Sequence, residues 1–570
     1  MSADTLVFDM SSMSEGTPSV FVRKDWLSIL DNQNQSYQGN QSVIDTSQLA
    51  NSNKYMNYRE GYLTVPLVLT LTQSTGSATA YLPATSATTG DFALGLKNWY
   101  GSIVHSFTLE YNGTTIIQQT PYIGLWNTFK LMTSLSHNDI TAMGSAIGFY
   151  PDDSSSFRYD TANNSNGLGT SNNRNLGAFA NVASLHNQFT PFNSGFLSRQ
   201  HGWNFDPDAI VGGSIAYSAL ISTTNLTTLW KSYIYTKISA SPATTTTVPA
   251  VVQIAITAQI YLKHLHSFFE RVPLLKGVFM KMTLNLNQSS VAFAVSGSDT
   301  FTSCSVNSPL GGVSPIMIAS ATASNGGASF TEGSYIASIA VGNKILNTTQ
   351  SSLAGVAGSP LGGSIILNVP AYIFNPVFET SYLSSPVKKI VYTDIYQYQI
   401  VNQIGAGQTF NNLITNGIAN IKSVLVLPFF QSASNASISP IQSPFDTAGA
   451  GTTSPLCLLT QFNVQVSGQN AIYNSERYSY EQFFNQLYGQ NAVNGGMTDG
   501  LTSCLIGQKD FEMSYNYYYV NVGRMLPVEE AVPKSVNVLG TNMSGKAIDL
   551  FIFIEYGVEV SIDVLTGARV

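Results

Sequence analysis

Along residues 106–133, SFTLEYNGTTIIQQTPYIGLWNTFKLMT, the hydrophobic pattern changes period halfway. Phe107, Leu109 and Tyr111 alternate with Thr108 and Glu110, the two-residue period of a strand buried on one face. Asn112-Gly113 then predicts a type I′ hairpin, which needs two positive-φ positions. After the return strand, Thr120-Pro121 reads as an N-cap followed by proline at the first helical position, and Tyr122, Leu125, Phe129 and Met132 follow at helical spacing. The pattern occurs twice. A shift of 355 positions (468 − 113) lays Gly113 on Gly468, Phe107 on Phe462, Leu109 on Val464, Tyr111 on Val466, Ile117 on Ile472 and Phe129 on Phe484. In the second copy Ser467-Gly468 makes the turn, Ser479 and Gln482 stand as a capping box, Phe483 and Leu487 form the apolar stripe, and Gly489 marks the expected helix stop.

The rest of the chain reads mainly as strands. Residues 62–72 (YLTVPLVLTLT) are apolar on both faces, as in a central sandwich strand, and residues 424–430 (VLVLPFF) repeat them, each with a proline. Further strands are expected at 215–221, 232–238, 251–262, 277–287, 316–318 and 335–341, with two closing strands at 548–556 and 559–564. Phe268, Phe269 and Val272 suggest a helical turn or two before Pro273. The 517–539 stretch repeats that region at a shift of 260 (533 − 273), as two copies of one domain with loops of different size would. Residues 138–214 read as one long excursion without regular elements, and such loops are usually functional. Residues 1–20 read as a mobile arm, 21–363 as a first domain with insertions and a crossover, and 364–570 as a second.

Composition sharpens this picture. Only 10% of the 570 residues are charged, where about a quarter is usual. Asn, Ser, Thr, Gln and Gly replace them, which favours short strands and polar turns and suggests that much of the surface meets other protein. The net charge of −7, with no long basic run, offers no electrostatic footprint for nucleic acid. Cys304, Cys457 and Cys504 are widely spaced and odd in number, so neither a disulfide framework nor a zinc site is encoded. No secretory signal pattern and no apolar run of about 18 residues is present, so synthesis in the cytosol without membrane insertion is expected. The sequons at Asn225 and Asn347 are accordingly not expected to carry glycans.

Candidate chemistry is sparse. His264 and His266, two apart in a strand pattern, would share a face, but two ligands without a third do not make a metal site. Asp510 and Glu512 read as a pair on one strand face, and Glu529-Glu530 adjoin. Paired carboxylates can hydrolyse glycosides at about 5–10 Å separation, yet no partner pattern accompanies these. Asp152-Asp153 lack the alternating ligand run of a calcium loop. Tyr515, Tyr517, Tyr518 and Tyr519 could form a sugar-stacking platform, but their alternation favours core or subunit interface. P-loop and GxSxG patterns are absent.

The segment 111–132, YNGTTIIQQTPYIGLWNTFKLM, is similar to the hairpin-and-helix signature of capsid proteins of large nucleocytoplasmic viruses. More of the chain resembles the double jelly-roll major capsid proteins of polinton-like viruses and virophages, through 45–70 (DTSQLANSNKYMNYREGYLTVPLVLT), 268–287 (FFERVPLLKGVFMKMTLNLN) and 510–542 (DFEMSYNYYYVNVGRMLPVEEAVPKSVNVLGTN). The resemblance implies an all-β fold of two tandem eight-stranded jelly rolls with short flanking helices and long loops. It implies a structural, non-enzymatic protein without cofactor or metal, whose homotrimer is a pseudo-hexagonal capsomer tiling an icosahedral double-stranded DNA virus shell. The implied partners are further copies of the chain, neighbouring capsomers, a penton protein and minor capsid proteins, with no direct nucleic acid binding. The only residues singled out are the structural hairpin turns Asn112, Gly113, Ser467 and Gly468. Residues 138–214 and 289–363 have no counterpart in the family pattern. A β-rich carbohydrate-binding adhesin or viral spike is the competing reading, supported by low charge and Asn/Thr-rich loops; a glycosidase has only unpaired carboxylates in its favour.

Overall fold

A computed structural model describes residues 19–33, 37–49, 52–76, 92–151, 232–237, 250–276, 278–296, 300–310, 314–320, 333–342, 363–430, 457–473, 477–491, 504–513, 515–522, 531–544 and 547–569. Sixteen of its strands form two sandwiches of the same design. In the first the strands are β1 (Phe21–Leu30), β2 (Gln41–Asp45), β3 (Tyr62–Gly76), β4 (Val104–Tyr111), β5 (Thr114–Ile117), β6 (Ala250–Tyr261), β7 (Met280–Leu286) and β8 (Ile366–Phe374). The second comprises β9 (Val387–Ile404), β10 (Thr409–Ile418), β11 (Ile421–Phe430), β12 (Leu459–Val466), β13 (Gln469–Asn470), β14 (Tyr518–Asn521), β15 (Lys534–Asn542) and β16 (Ile548–Asp563).

In the second sandwich the sheets run β9-β16-β11-β14 and β10-β15-β12-β13, all antiparallel. Subtracting eight from each label gives the first sandwich: β1-β8-β3-β6 facing β2-β7-β4-β5. Each is an eight-stranded jelly roll, so the chain is a double jelly roll. The core follows from the two-residue period. Along β7 and β15 burial alternates strictly, with Met280, Met282, Leu284 and Leu286, and Val536 and Val538, turned inward. Leu63 of β3 pairs with Leu367 of β8, and these two, with Val65 and Leu67 of β3 and Val369 and Ala371 of β8, line the inner face of their sheet without solvent contact.

Among the described residues, the strands additional to this framework all fall between β1 and β8 of the first roll. Strand Phe92–Leu96 pairs with Ile316–Ser320. Strand Gly333–Val341 takes over the edge of β3 from Leu67 upward, where β8 has left it after Thr64. Helices α1 (Ile123–Ser134) and α2 (His137–Ile147) follow β5, and the short helices α3 (Leu262–Leu265) and α4 (Phe268–Arg271) follow β6. Helix α5 (Pro376–Leu383), capped by the Asn375 side chain, joins β8 to β9, and α6 (Tyr480–Asn491) and α7 (Gln508–Met513) belong to the second roll.

Several expectations change. Because β8 pairs with β1 and β3, the first roll extends through Phe374, and the chain changes rolls at α5 rather than at 363/364. The supposed loop at 138–214 begins with a helix: Ser136 and Asp139 form a reciprocal capping box for α2, and Gly148, at φ 66°, ends it. The closing strands are one, β16, running through Gly557. That glycine admits the backbone of Asn420, whose carbonyl accepts its N–H at 2.9 Å, and a Cβ there would overlap the Asn420 side chain. Thr120 does not cap α1; Tyr122 stands at the N-cap position without a side-chain capping bond, and the Thr120 hydroxyl donates to the Ile395 carbonyl at 2.8 Å. Helix α6 continues two residues past Gly489. The arm at 1–18, the strand at 215–221 and most of 138–214 lie outside the described residues.

Candidate functional site: the seam between the rolls and the open face beside it

The duplicated segment is β4, a two-residue turn, β5 and α1 in the first roll, and β12, turn, β13 and α6 in the second. The turns have the same backbone: φ is 46° and 78° at Asn112 and Gly113, and 50° and 79° at Ser467 and Gly468. A Cβ on either glycine would touch nothing within 4 Å, so the glycines are required by φ alone. The N–H groups of Asn112 and Ser467 donate to Phe279 and Ser535 carbonyls, each at 2.9 Å. The turns differ in one respect. The Asn112 amide also donates to the Thr566 carbonyl, tying the first roll's turn to the end of the second roll.

Helix α1 is buried on nearly all sides because it lies between the rolls. Tyr122 enters it in the left-handed region (φ 55°), a conformation costing a bulky residue about 1–2 kcal/mol, and its ring packs edge-on against His105 at 4.7 Å and Phe551 at 5.2 Å. Trp126 meets Phe553 at 6.3 Å, and Phe129 stacks on Tyr519 at 5.2 Å and meets Tyr517 edge-on at 5.2 Å. Lys130 Nζ lies 3.6 Å from the buried Glu555 carboxylate, which also accepts the Ser423 hydroxyl at 2.7 Å. This explains six consecutive buried residues in β16, from Leu550 to Glu555: the even positions fill the second roll's core while the odd ones face α1.

A second contact region joins α4 to β9. Phe268 packs on Tyr392 at 5.1 Å, the Tyr392 hydroxyl donates to Ile116 O at 2.7 Å, and the Ser267 hydroxyl donates to Thr393 O at 2.5 Å. The histidines expected to share a strand face are here and do not. His264 lies in α3, while His266 follows its end with Nε2 3.3 Å from the buried Asp394 carboxylate. His264 packs edge-on against Trp99 and Tyr261, and burial pushes its pKa down to about 4. His105, beside Tyr122, is lowered to about 4 for the same reason. The helical turn of α3 separated the two rings, because the strand β6 ends at Tyr261.

Asp510 and Glu512 are on α7, not on a strand, and two residues along a helix face apart. Glu512 pairs with Arg477 at 3.1 Å, and Asp510 accepts the Gly507 N–H at 3.2 Å. Tyr515, Tyr517, Tyr518 and Tyr519 are buried, and the Tyr518 hydroxyl accepts the Leu459 N–H at 2.8 Å. Among the described residues no three His, Cys, Asp or Glu side chains gather. Asp152-Asp153 and Glu529-Glu530 lie outside those residues.

Sequence reasoning passed over the outer face of β1. Val22, Trp26 and Leu30 point away from the core and are 67%, 52% and 60% exposed. Trp26 touches Tyr62 at 5.8 Å, Tyr62 touches Tyr261 at 5.6 Å, and Lys24 lies 5.6 Å over Trp26 while bonding Glu60 at 2.7 Å. The available signal was the alternation in FVRKDWLSIL, which puts apolar residues on both faces of an edge strand.

No protein-family model and no curated protein matches the chain. Among solved structures, a chain of the Sputnik virophage, seen by cryo-EM at 3.5 Å, aligns over 97% of this chain and 89% of that one, at 12% identity and a TM-score of 0.51. The mavirus major capsid protein aligns over 97% and 90%, at 9% identity and 0.41, and the Faustovirus major capsid protein over 96% and 91%, at 10% and 0.41. The chain thus has, over nearly its whole length, the fold of the Sputnik virophage chain, and that fold is the double jelly roll traced above.

Proposed function

We propose that this chain is a major capsid protein of an icosahedral double-stranded DNA virus of the virophage or polinton-like kind. It is a structural protein and carries no catalytic site. The observation that carries this reading is the identical strand order of the two rolls in one chain. Three such chains place six equivalent rolls around an axis, so a homotrimer fills a sixfold lattice position. Trimer contacts would bury more than about 2,000 Å² per pair, as obligate interfaces do, which suits a surface with few charges. The working location is the virion shell, and the partners are neighbouring capsomers, a penton protein and minor capsid proteins. The domain division that fits is an arm before β1, a first roll through β8, and a second roll from β9.

Light scattering of the purified chain, with negative-stain imaging, tests this. Trimers of hexagonal outline are expected; monomers or fibres overturn it, and glycan-dependent binding by a monomer would favour the adhesin. Deleting residues 1–18 should leave trimers intact while impairing shell assembly, and normal particles from the truncated chain refute a role for that arm.

A further inference from the structure

Within the chain, one roll docks on the other by a fixed rule. The helix that follows the duplicated hairpin of the first roll, α1, covers the outer face of the sheet β9-β16-β11-β14. The second roll has the same helix, α6, and the first roll has the same sheet, β1-β8-β3-β6, and among the described residues these two make no extended contact. One side of α6 and the β1 side of the sheet are exposed. At the shift of 355, the seam residues Trp126, Phe129 and Lys130 correspond to Glu481, Phe484 and Asn485. Glu481 and Asn485 are exposed, while Phe483 and Leu487 on the other side of α6 are buried in their own roll. The matching sheet face of the first roll presents Val22, Trp26 and Leu30, with Tyr62 and Tyr261 behind them.

We infer that the outer face of β1-β8-β3-β6, centred on Trp26 and Tyr62, is the seat of α6 from a second copy of this chain. This deepens the capsomer reading and rests on it. Two features select that occupant. The intrachain seam supplies the geometry, since the same helix position already sits on the same sheet face. The bare patch is apolar and aromatic, as the covered one is: it carries Trp26 on β1, Tyr62 on β3 and Tyr261 on β6, and the covered one carries Phe551 and Phe553 on β16 and Tyr519 on β14. Applied between chains, the rule runs second roll to first roll, and three applications close a ring.

The experiment compares the full-length chain with two variants by light scattering across a dilution series. Trp26→Asp alters the sheet face, and Glu481→Arg with Asn485→Arg alters the helix. All three positions are exposed in the single chain, so circular dichroism and melting should match the unaltered protein. Each variant should weaken every subunit contact by about thirtyfold or more, the range for a central aromatic anchor, and shift trimers to monomers at micromolar concentration. If the unaltered chain does not trimerise, the capsomer reading itself fails. If it trimerises and Trp26→Asp trimerises equally well, this inference fails and the capsomer reading stands. If only Trp26→Asp dissociates, the face is an interface but α6 is not its occupant, which also overturns the assignment.

Discussion

Truncating Phe129 to alanine measures what the seam contributes. The ring has no solvent contact and lies between Tyr519, stacked at 28°, and Tyr517, inclined at 64°, both at 5.2 Å. Phe→Ala changes in cores cost about 3–5 kcal/mol, the sum of lost transfer energy and the cavity left behind. The two ring contacts account for about 0.5–1.5 kcal/mol each. Collapse of the cavity is restricted here, because the tyrosines belong to the region of β14, a strand hydrogen-bonded to β11, and Phe129 belongs to a helix held from both sides. A loss of about 4 kcal/mol is therefore expected, a quarter or more of the about 5–15 kcal/mol that usually holds a domain. Urea unfolding followed by tryptophan fluorescence reads it, since Trp126 lies one turn away on α1. With the seam weakened, the single transition should separate into two, one per roll, and amides of β16 should exchange faster than those of β7. Leu413→Ala, at a half-exposed position of β10, serves as the control and should stay within about 0.5 kcal/mol. A loss below about 1.5 kcal/mol for Phe129→Ala, or a transition that stays single and merely shifts, would refute the view that α1 couples the rolls.

Other perturbations follow from the same geometry. Gly113→Ala and Gly468→Ala meet no atoms but must hold a positive φ, so each should cost about 1–2 kcal/mol, the valine variants more, and the two sites should agree in melting temperature shift. Gly101→Ala would drive a Cβ into the fully buried Trp99 ring and should abolish soluble expression, whereas Gly39→Ala, with nothing within 4 Å, should leave yield unchanged. His105 and His264 have folded pKa values of about 4 against an ordinary 6.5, so the unfolded chain takes up their protons first as pH falls. Their stabilisation is complete above pH 6.5 and is lost toward pH 4, up to about 3 kcal/mol per group, and melting curves of the double His→Gln variant should be flatter over that window.

The duplicated hairpin was legible because both of its determinants are local: period-2 burial and a turn needing two positive φ values, found at Asn112-Gly113 and Ser467-Gly468. The central strands β3 and β11 were legible for a similar reason, being apolar on both faces. What escaped was decided at a distance. Thr120-Pro121 has the form of a cap, but the Thr120 hydroxyl is taken by Ile395, so α1 starts later through a strained Tyr122. His264 looked like a strand residue because β6 is long and nothing local announces its end at Tyr261. Gly557 looked like a break, yet it marks the close approach of Asn420 to an unbroken strand. Helix α2, by contrast, was locally encoded by Ser136, Asp139 and Gly148, and was hidden only by the polar composition around it. The alternation along β1 puts apolar residues on both of its faces, but which face is open followed only from its sheet partner β8, since exposure is a property of the assembled sheet.

The seam also sets a clock. Trp126 and Phe553 are 427 positions apart (553 − 126), and at about 5–20 residues per second the ribosome makes the first roughly 20–85 s before the second. Over that interval the aromatic side of α1 is complete but lacks its partners on β16. The strand that ends the wait, β16, also lies between β9 and β11, so it closes a sheet and covers a helix in one step. A nascent chain that stops before Ile548 keeps both defects, and its bare aromatic helix distinguishes it from a finished subunit before any shell is built.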